Sequence, residues 1–154
     1  IDEAITAYHT AISINPALPS THNNIGNLFM QLGQNDQAIQ SYRRAITLDA
    51  NSAQSHTNLG NALQVVGAFD KALASYQRAL SIDPYFLKAH SDVGTLFFKL
   101  NKINEAIVML EIAFSIKSDD PYITDSIGLA YYLIDDFLLM VMTILRLLRS
   151  AFSI

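Results

Sequence analysis

The sequence predicts an all-α protein, a solenoid of antiparallel helix pairs, and three observations carry this prediction. Glycine recurs at intervals of 34 residues, at Gly26, Gly60, Gly94 and Gly128. Apolar residues around these glycines follow a helical period, and glycine or proline interrupts that period between successive runs. A unit of 34 residues is too small to bury its own apolar face, so neighbouring units must stack into an elongated array.

The glycine register divides the chain into units of one continuous solenoid domain. The segment 1–18 is a half repeat that supplies only the second helix of an earlier unit. Four units follow, at 19–52, 53–86, 87–120 and 121–154, and the last of them is degenerate.

An apolar stripe marks the first helix of each unit. In the first unit the residues at i, i+3, i+4 and i+7 are Ile25, Leu28, Phe29 and Leu32. First helices are predicted at 19–33, 53–66, 87–100 and 121–134, with Gly33 and Gly67 ending the first two. Glycine inside a helix costs about 1 kcal/mol relative to alanine, so the recurring glycine predicts a neighbouring helix that needs the space.

The second helix of each unit carries small residues in two of its apolar columns, where helices must touch closely. These columns are Ala4, Ala38, Ala72 and Ala106, and Ala11, Ala45, Ala79 and Ala113. A third column holds Tyr8, Tyr42 and Tyr76. Second helices are predicted at 36–49, 70–82, 103–116 and 137–152, after a partial helix at 2–14, and Pro16 and Pro84 stop two of them.

These columns resemble the tetratricopeptide repeat. The second unit matches the family pattern with His56, Leu59, Gly60, Leu63, Ala72, Tyr76, Ala79 and Pro84. The resemblance extends over residues 1–117 and implies a right-handed superhelix. Within it, the segments 24–28 and 58–63 are similar to the repeats ahead of the catalytic region in O-linked N-acetylglucosamine transferases and to repeats of many bacterial proteins.

The resemblance also implies an inner, concave wall formed by the first helices. The candidate peptide-binding residues on that wall are Asn23, Asn24, Asn27, Gln31, Asn58, Asn61, Gln64, Lys88, Asp92 and Thr95. An asparagine side chain both donates and accepts hydrogen bonds, so it can pair with the backbone of an extended peptide. Asn24 and Asn58 share one column, and Asn27 and Asn61 share another, which predicts a ladder of amides. Farther along, Phe98 and Tyr132 are expected to anchor a ligand or to pack on the last helix.

The predicted function is a non-catalytic scaffold that binds an extended segment of a partner protein. The alternative is the substrate-recognition arm of a larger glycosyltransferase, which the sequence beyond Ile154 would decide. No nucleophile with an adjacent base, phosphate-binding loop or paired-carboxylate site is found, so we expect neither enzyme activity nor a cofactor.

One specialisation of the family is disfavoured. Members that hold the acidic tail of heat-shock chaperones use a clamp of lysine, asparagine and arginine, and Asn27, Asn58 and Lys88 match that clamp. Asn23 and Asp92 depart from it. A carboxylate would repel the terminal carboxylate of such a tail, so we do not expect this chain to bind one.

A column of histidines, His22, His56 and His90, raises the question of a metal site. Successive units stand about 10 Å apart. One ion cannot bridge that distance, because its ligands lie about 2.1 Å away. These histidines are therefore expected to pack between helices, and no metal is predicted.

Composition bounds the partner and the compartment. The net charge is −4 and there is no block of lysine or arginine, so a nucleic-acid partner is not expected. The chain has no cysteine, which fits a reducing compartment, and a cytoplasmic location is expected. It begins at Ile1 in the middle of a unit, so we expect a piece of a longer protein.

The fourth unit departs from the pattern in its second helix. Met140 and Leu147 stand where alanines belong, and 138–148 is apolar on nearly every side. Three interpretations remain open: an altered end that docks on something outside this chain, a self-association surface formed by 137–154, or a membrane anchor. The anchor is the least favoured, because the segment is short and contains Arg146 and Arg149.

Overall fold

The computed structural model describes residues 10, 17–117 and 120–151, and beyond Asp135 it describes the side chain of Leu138 alone. This part of the chain contains seven α-helices and no strand. They are α1 (Pro19–Gln31), α2 (Asn35–Leu48), α3 (Ala53–Val65), α4 (Phe69–Ile82), α5 (Leu87–Lys99), α6 (Ile103–Ile116) and α7 (Pro121–Ala151). The partial helix predicted at 2–14, with Ala4, Tyr8 and Ala11, lies almost entirely outside the described residues.

The first six helices form three pairs, α1 with α2, α3 with α4 and α5 with α6. Each pair packs on the next through its second helix, which confirms the all-α solenoid. The first helices of neighbouring pairs also contact each other, α1 with α3 and α3 with α5, whereas the second helices make no contacts of this extent. The units are therefore closest on the side where α1, α3 and α5 meet, which we call the inner surface.

The first helix of each pair ends in the same turn. Gly33, Gly67 and Asn101 follow the three helices with φ of 71°, 77° and 56°. The residue after each donates its N–H to the carbonyl five residues earlier, as Gln34 does to Phe29 at 2.9 Å. Glycine and asparagine are the residues that usually end helices in this left-handed conformation. The predicted helix ends at Gly33 and Gly67 are confirmed.

The core lies between paired helices, where the predicted small columns are found. All described alanines of these two columns are fully buried, namely Ala38, Ala45, Ala72, Ala79, Ala106 and Ala113. In three units the glycine of the first helix packs on a large side chain of the second, in the pairs Gly26–Tyr42, Gly60–Tyr76 and Gly94–Leu110. The prediction that glycine makes room for a neighbouring helix is confirmed in these units.

The fourth unit is a single helix, α7, which runs from Pro121 to Ala151. The prediction of two helices, at 121–134 and 137–152, is therefore wrong. The column of Gly33, Gly67 and Asn101 continues with Asp135. Aspartate is not among the residues that usually end a helix in the left-handed conformation, and α7 continues through it.

The continuous helix leaves one face of α7 without the partner that the other units have. A Cβ on Gly128 would meet no atom of the described residues within 4 Å, so the prediction that glycine makes room for a second helix is wrong in this unit. The exposed large apolar and aromatic side chains described on α7 are Tyr122, Leu129, Tyr131, Tyr132, Leu133 and Leu138. Among the described residues, no helix combines the length and the apolar character needed to cross a bilayer.

Candidate functional site

All ten predicted site residues lie on α1, α3 and α5, the helices that form the inner surface. The structure gives them unequal exposure. Asn24, Asn27, Gln31 and Lys88 are exposed. Asn58 is buried, with 7% of its surface accessible, and the other five are partly exposed.

Asn58 joins the first unit to the second. Its Nδ2 donates to Oδ1 of Asn23 at 3.1 Å and to Oδ1 of Asn27 at 3.2 Å, both on α1. Its own Oδ1 accepts a hydrogen bond from Gln54 Nε2 at 2.8 Å. Because the side chain is buried and bonded at both ends, Asn58 holds two helices together and offers a ligand little surface.

A second junction of the same design joins α3 to α5. Asn61 donates its Nδ2 to Oδ2 of Asp92 at 2.9 Å, and Lys88 Nζ donates to the same oxygen at 3.2 Å. Asp92 occupies the column of Asn58, and Asn61 occupies the column of Asn27. The two junctions therefore use the same columns, with a carboxylate in place of an amide at the second.

Two tyrosines of the second helices hold these amides in place. The Tyr42 hydroxyl donates to Asn27 Oδ1 at 2.8 Å. The Tyr76 hydroxyl donates to Asn61 Oδ1 at 2.5 Å and also lies 3.1 Å from Gln64 Oε1. Burial raises the pKa of Tyr42 to about 12 and raises that of Tyr76 still further, with Asp92 adding to the second shift. Both hydroxyls are therefore neutral donors at physiological pH.

These tyrosines share one column of the sequence, but no hydrogen bonds were predicted for them. A signal was present, because the asparagine and the tyrosine are separated by 15 residues in both units, Asn27–Tyr42 and Asn61–Tyr76. The amide ladder also differs from the expected one. Its hydrogen bonds run between different columns, whereas no bond joins Asn24 to Asn58 in the described residues.

Groups that remain unused lie beside these junctions. Asn24 and Gln31 make no side-chain hydrogen bond within the part of the chain that the structure describes, and Asn27 keeps its Nδ2 unpaired there. Thr95 is occupied, because its Oγ1 donates to the carbonyl of Ser91 at 3.1 Å and lies 3.1 Å from the hydroxyl of Tyr122. The amides of α1 are therefore the most available part of the predicted set.

An open groove of about 720 Å³ lies where α5 meets the start of α7. Its lining includes Tyr85, Lys88, Ser91, Asp92, Asp120 and Tyr122. Burial raises the pKa of the Asp92 carboxyl, and Lys88 and the hydrogen bond from Asn61 oppose that shift. The groove therefore combines a partly buried carboxylate with exposed aromatic rings.

Two histidines of the column, His56 and His90, contact the turns between units. His56 Nε2 lies 3.2 Å from the carbonyl of Ala50, and His90 Nε2 lies 2.9 Å from that of Pro84, each six residues earlier. Burial lowers the pKa of His56. No group of metal-ligating side chains occurs among the described residues.

Family models match more than half of the chain. A model described as TPR repeat matches residues 1–33 and again 26–65, and a model described as Tetratricopeptide repeat matches residues 53–86. No curated protein sequence matches the chain.

Solved structures share the fold. A crystal structure of MamA is 29% identical, over 85% of this chain and 77% of that one, with a TM-score of 0.74. The first TPR of Spaghetti (RPAP3), solved bound to the HSP90 peptide SRMEEVD, is 21% identical over 76% and 93% of the two chains, with a TM-score of 0.72. The Arabidopsis OM64 TPR domain is 21% identical over 73% and 93%, with a TM-score of 0.68. At 21% identity the last two show the fold alone.

Proposed function

This chain belongs to the tetratricopeptide repeat family, and we propose that it is a non-catalytic scaffold that binds an extended segment of a partner protein along its inner surface. Stacked helical repeats offer extended surfaces of this kind for binding. The partner class is a protein or peptide, and the unbonded amides of α1 are proposed to bind its backbone.

The observation that carries this proposal is the set of unused amide groups on α1. Asn24 and Gln31 are exposed and unbonded within the described residues. Every residue of an extended peptide other than proline carries one N–H and one C=O that need partners. A carboxamide supplies both a donor and an acceptor, so it can bind a peptide backbone regardless of the peptide's side chains. The junctions around Asn58 and Asn61 keep α1, α3 and α5 in register beneath that peptide.

Replacing Asn24 and Gln31 together by alanine is expected to weaken peptide binding about tenfold, because each lost hydrogen bond contributes about 0.5–1.5 kcal/mol. Peptides are first selected from a displayed random library on the wild-type protein, and their affinities for both proteins are then measured by calorimetry.

The matched control is the double variant Gln37→Ala and Gln40→Ala, which alters two exposed side chains of α2. We expect this control to bind like the wild type and both variants to unfold at the wild-type temperature. If all three proteins bind the peptides with equal affinity, the α1 amides are not part of the binding site.

The alternative of a substrate-recognition arm remains a proposal that rests on the sequence similarity of segments 24–28 and 58–63. A glycosyltransferase domain encoded after Ile154 would support it, and a different continuation would exclude it. A cytoplasmic location is likewise a proposal, which cell fractionation would test.

Self-association is a second candidate function, and the open face of α7 favours it. In the first three units the corresponding glycine is covered by a second helix, whereas Gly128 is open and lies beside exposed Leu129 and Tyr132. Exposed apolar side chains grouped on one helix are typical of protein interfaces.

Deletion of 137–154 is expected to make the protein monomeric, and Tyr132→Asp in the full chain should weaken association more than tenfold, because aromatic anchors dominate interfaces. Sedimentation velocity at several concentrations measures both effects, with Val65→Asp on α3 as the control for an exposed apolar residue elsewhere. A wild-type protein that stays monomeric throughout would contradict this second function.

A further inference from the structure

We propose that the groove beside Asp92 binds an arginine side chain of the partner segment. This inference rests on the proposed function, because it names the chemistry of the segment that lies along the inner surface. The groove lies at the end of that surface, where α5 meets α7.

Only one of the two carboxylate oxygens of Asp92 accepts hydrogen bonds among the described residues. Both of its hydrogen bonds, from Asn61 and from Lys88, go to Oδ2. Oδ1 has no hydrogen-bond partner among the described residues. It is not a buried atom, because among these residues His90 Nδ1 is the only buried side-chain polar atom without a partner. Oδ1 therefore reaches solvent from a side chain that is 22% exposed. An acceptor in such a partly buried site forms stronger hydrogen bonds with a cation than one in bulk water.

Two exposed tyrosine rings also line this groove. Tyr85 is 77% exposed and Tyr122 is 57% exposed. The backbone N–H of Tyr85 donates to Asp83 Oδ1 at 3.0 Å, in the turn before α5. The backbone N–H of Tyr122 donates to Asp120 Oδ1 at 3.1 Å, at the start of α7. A guanidinium group stacks on an aromatic face while donating to a carboxylate, and lysine lacks this planar geometry. These rings therefore favour arginine over lysine.

The charges that line the groove favour a cation. They are the carboxylates of Asp92 and Asp120 and the ammonium group of Lys88. Lys88 is already paired with Asp92 at 3.2 Å, and Asp120 lies 3.8 Å from Lys117, which is outside the lining. An incoming arginine competes with Lys88 for Asp92. Lys88 is half exposed on a flexible stem, so it can move aside.

The test uses peptides selected from a random displayed library on the full chain. We expect the selected peptides to carry arginine, and replacing that arginine by neutral citrulline should weaken binding at least tenfold. Asp92→Asn should cause a similar loss of affinity, while its amide oxygen can still accept the hydrogen bond from Asn61. Lys88→Gln should strengthen binding severalfold, because a competing cation is removed. Asp125→Asn, an exposed carboxylate of α7 outside the groove, is the control and should bind like the wild type.

The outcomes separate this inference from the proposed function. If no peptide is selected, the proposed function fails. If peptides bind but tolerate citrulline, or if Lys88→Gln weakens their binding, the arginine site is overturned and the scaffold function stands. The citrulline peptide acts on the wild-type protein, so this result does not depend on the folding of any variant.

Discussion

Replacing Gly60 by alanine is expected to destabilise the protein by about 2 kcal/mol, because overpacking a filled core costs about 1–3 kcal/mol. The new Cβ would lie 2.5 Å from Cε1 and 2.7 Å from Cδ1 of Tyr76. That ring is fully buried, and its hydroxyl is bonded to Asn61. Relieving the clash requires moving the ring, which breaks the hydrogen bond and disturbs the packing of α3 on α4.

The matched control is Gly128→Ala, which changes the same column of the fourth unit. Its Cβ meets no atom of the described residues within 4 Å, and alanine is the better helix former by about 1 kcal/mol. We therefore expect Gly128→Ala to be neutral or stabilising by up to about 1 kcal/mol. Gly94→Ala should fall between the two, because the nearest atoms belong to Leu110, at 2.8 Å and 2.9 Å, and an aliphatic side chain adjusts more easily than a ring.

Urea unfolding followed by circular dichroism measures all three variants. The informative quantity is the order of their stabilities, since the sequence presents these glycines as equivalent. Equal losses at Gly60 and Gly128 would mean that a second helix also covers Gly128, contrary to the structure.

Replacing Asn58 by alanine should destabilise the protein by about 2 kcal/mol, because buried groups left without partners cost about 1–3 kcal/mol. The change removes the two hydrogen bonds to Asn23 and Asn27 and the one from Gln54. Asn24→Ala changes the same column of the first unit. Since Asn24 is exposed and unbonded within the described residues, its loss should change stability by less than about 0.5 kcal/mol.

The two asparagine variants should also differ in binding. Asn24→Ala is expected to alter the affinity for a selected peptide without altering the unfolding midpoint, whereas Asn58→Ala should lower the midpoint first. Calorimetric binding and thermal unfolding of the same preparations measure both quantities. A stable Asn58→Ala protein would show that the junction between α1 and α3 does not depend on this amide.

The helices of the first three units could be predicted from the sequence because their signals are local. The stripe of Ile25, Leu28, Phe29 and Leu32 specifies one face of a helix, and Gly33 supplies the backbone conformation that ends it. The buried alanines and the three packed glycines could also be predicted, since small residues let paired helices approach closely. Gly128 continues the glycine column without such a neighbour, so the column alone does not establish the contact.

The fourth unit was predicted incorrectly because the prediction did not include the column of residues that end the first helices. Asp135 takes the place of Gly33, Gly67 and Asn101, and α7 passes through it without a turn. The repeat period alone indicated a second helix. The helix-ending glycine or asparagine of the first three units is absent at this position.

The candidate site also combines features that the sequence predicts with features that only the tertiary structure shows. The sequence by itself determined which helices carry the asparagines, because the repeat register assigns each residue to a helix and a column. Only the tertiary structure decided that Asn58 and Asn61 bond between units while Asn24 has no side-chain partner among the described residues, since an amide can bond to a neighbour as well as to solvent. That choice depends on the distance between stacked helices and on the tyrosine hydroxyls that reach between them, and neither follows from the spacing of residues along one helix.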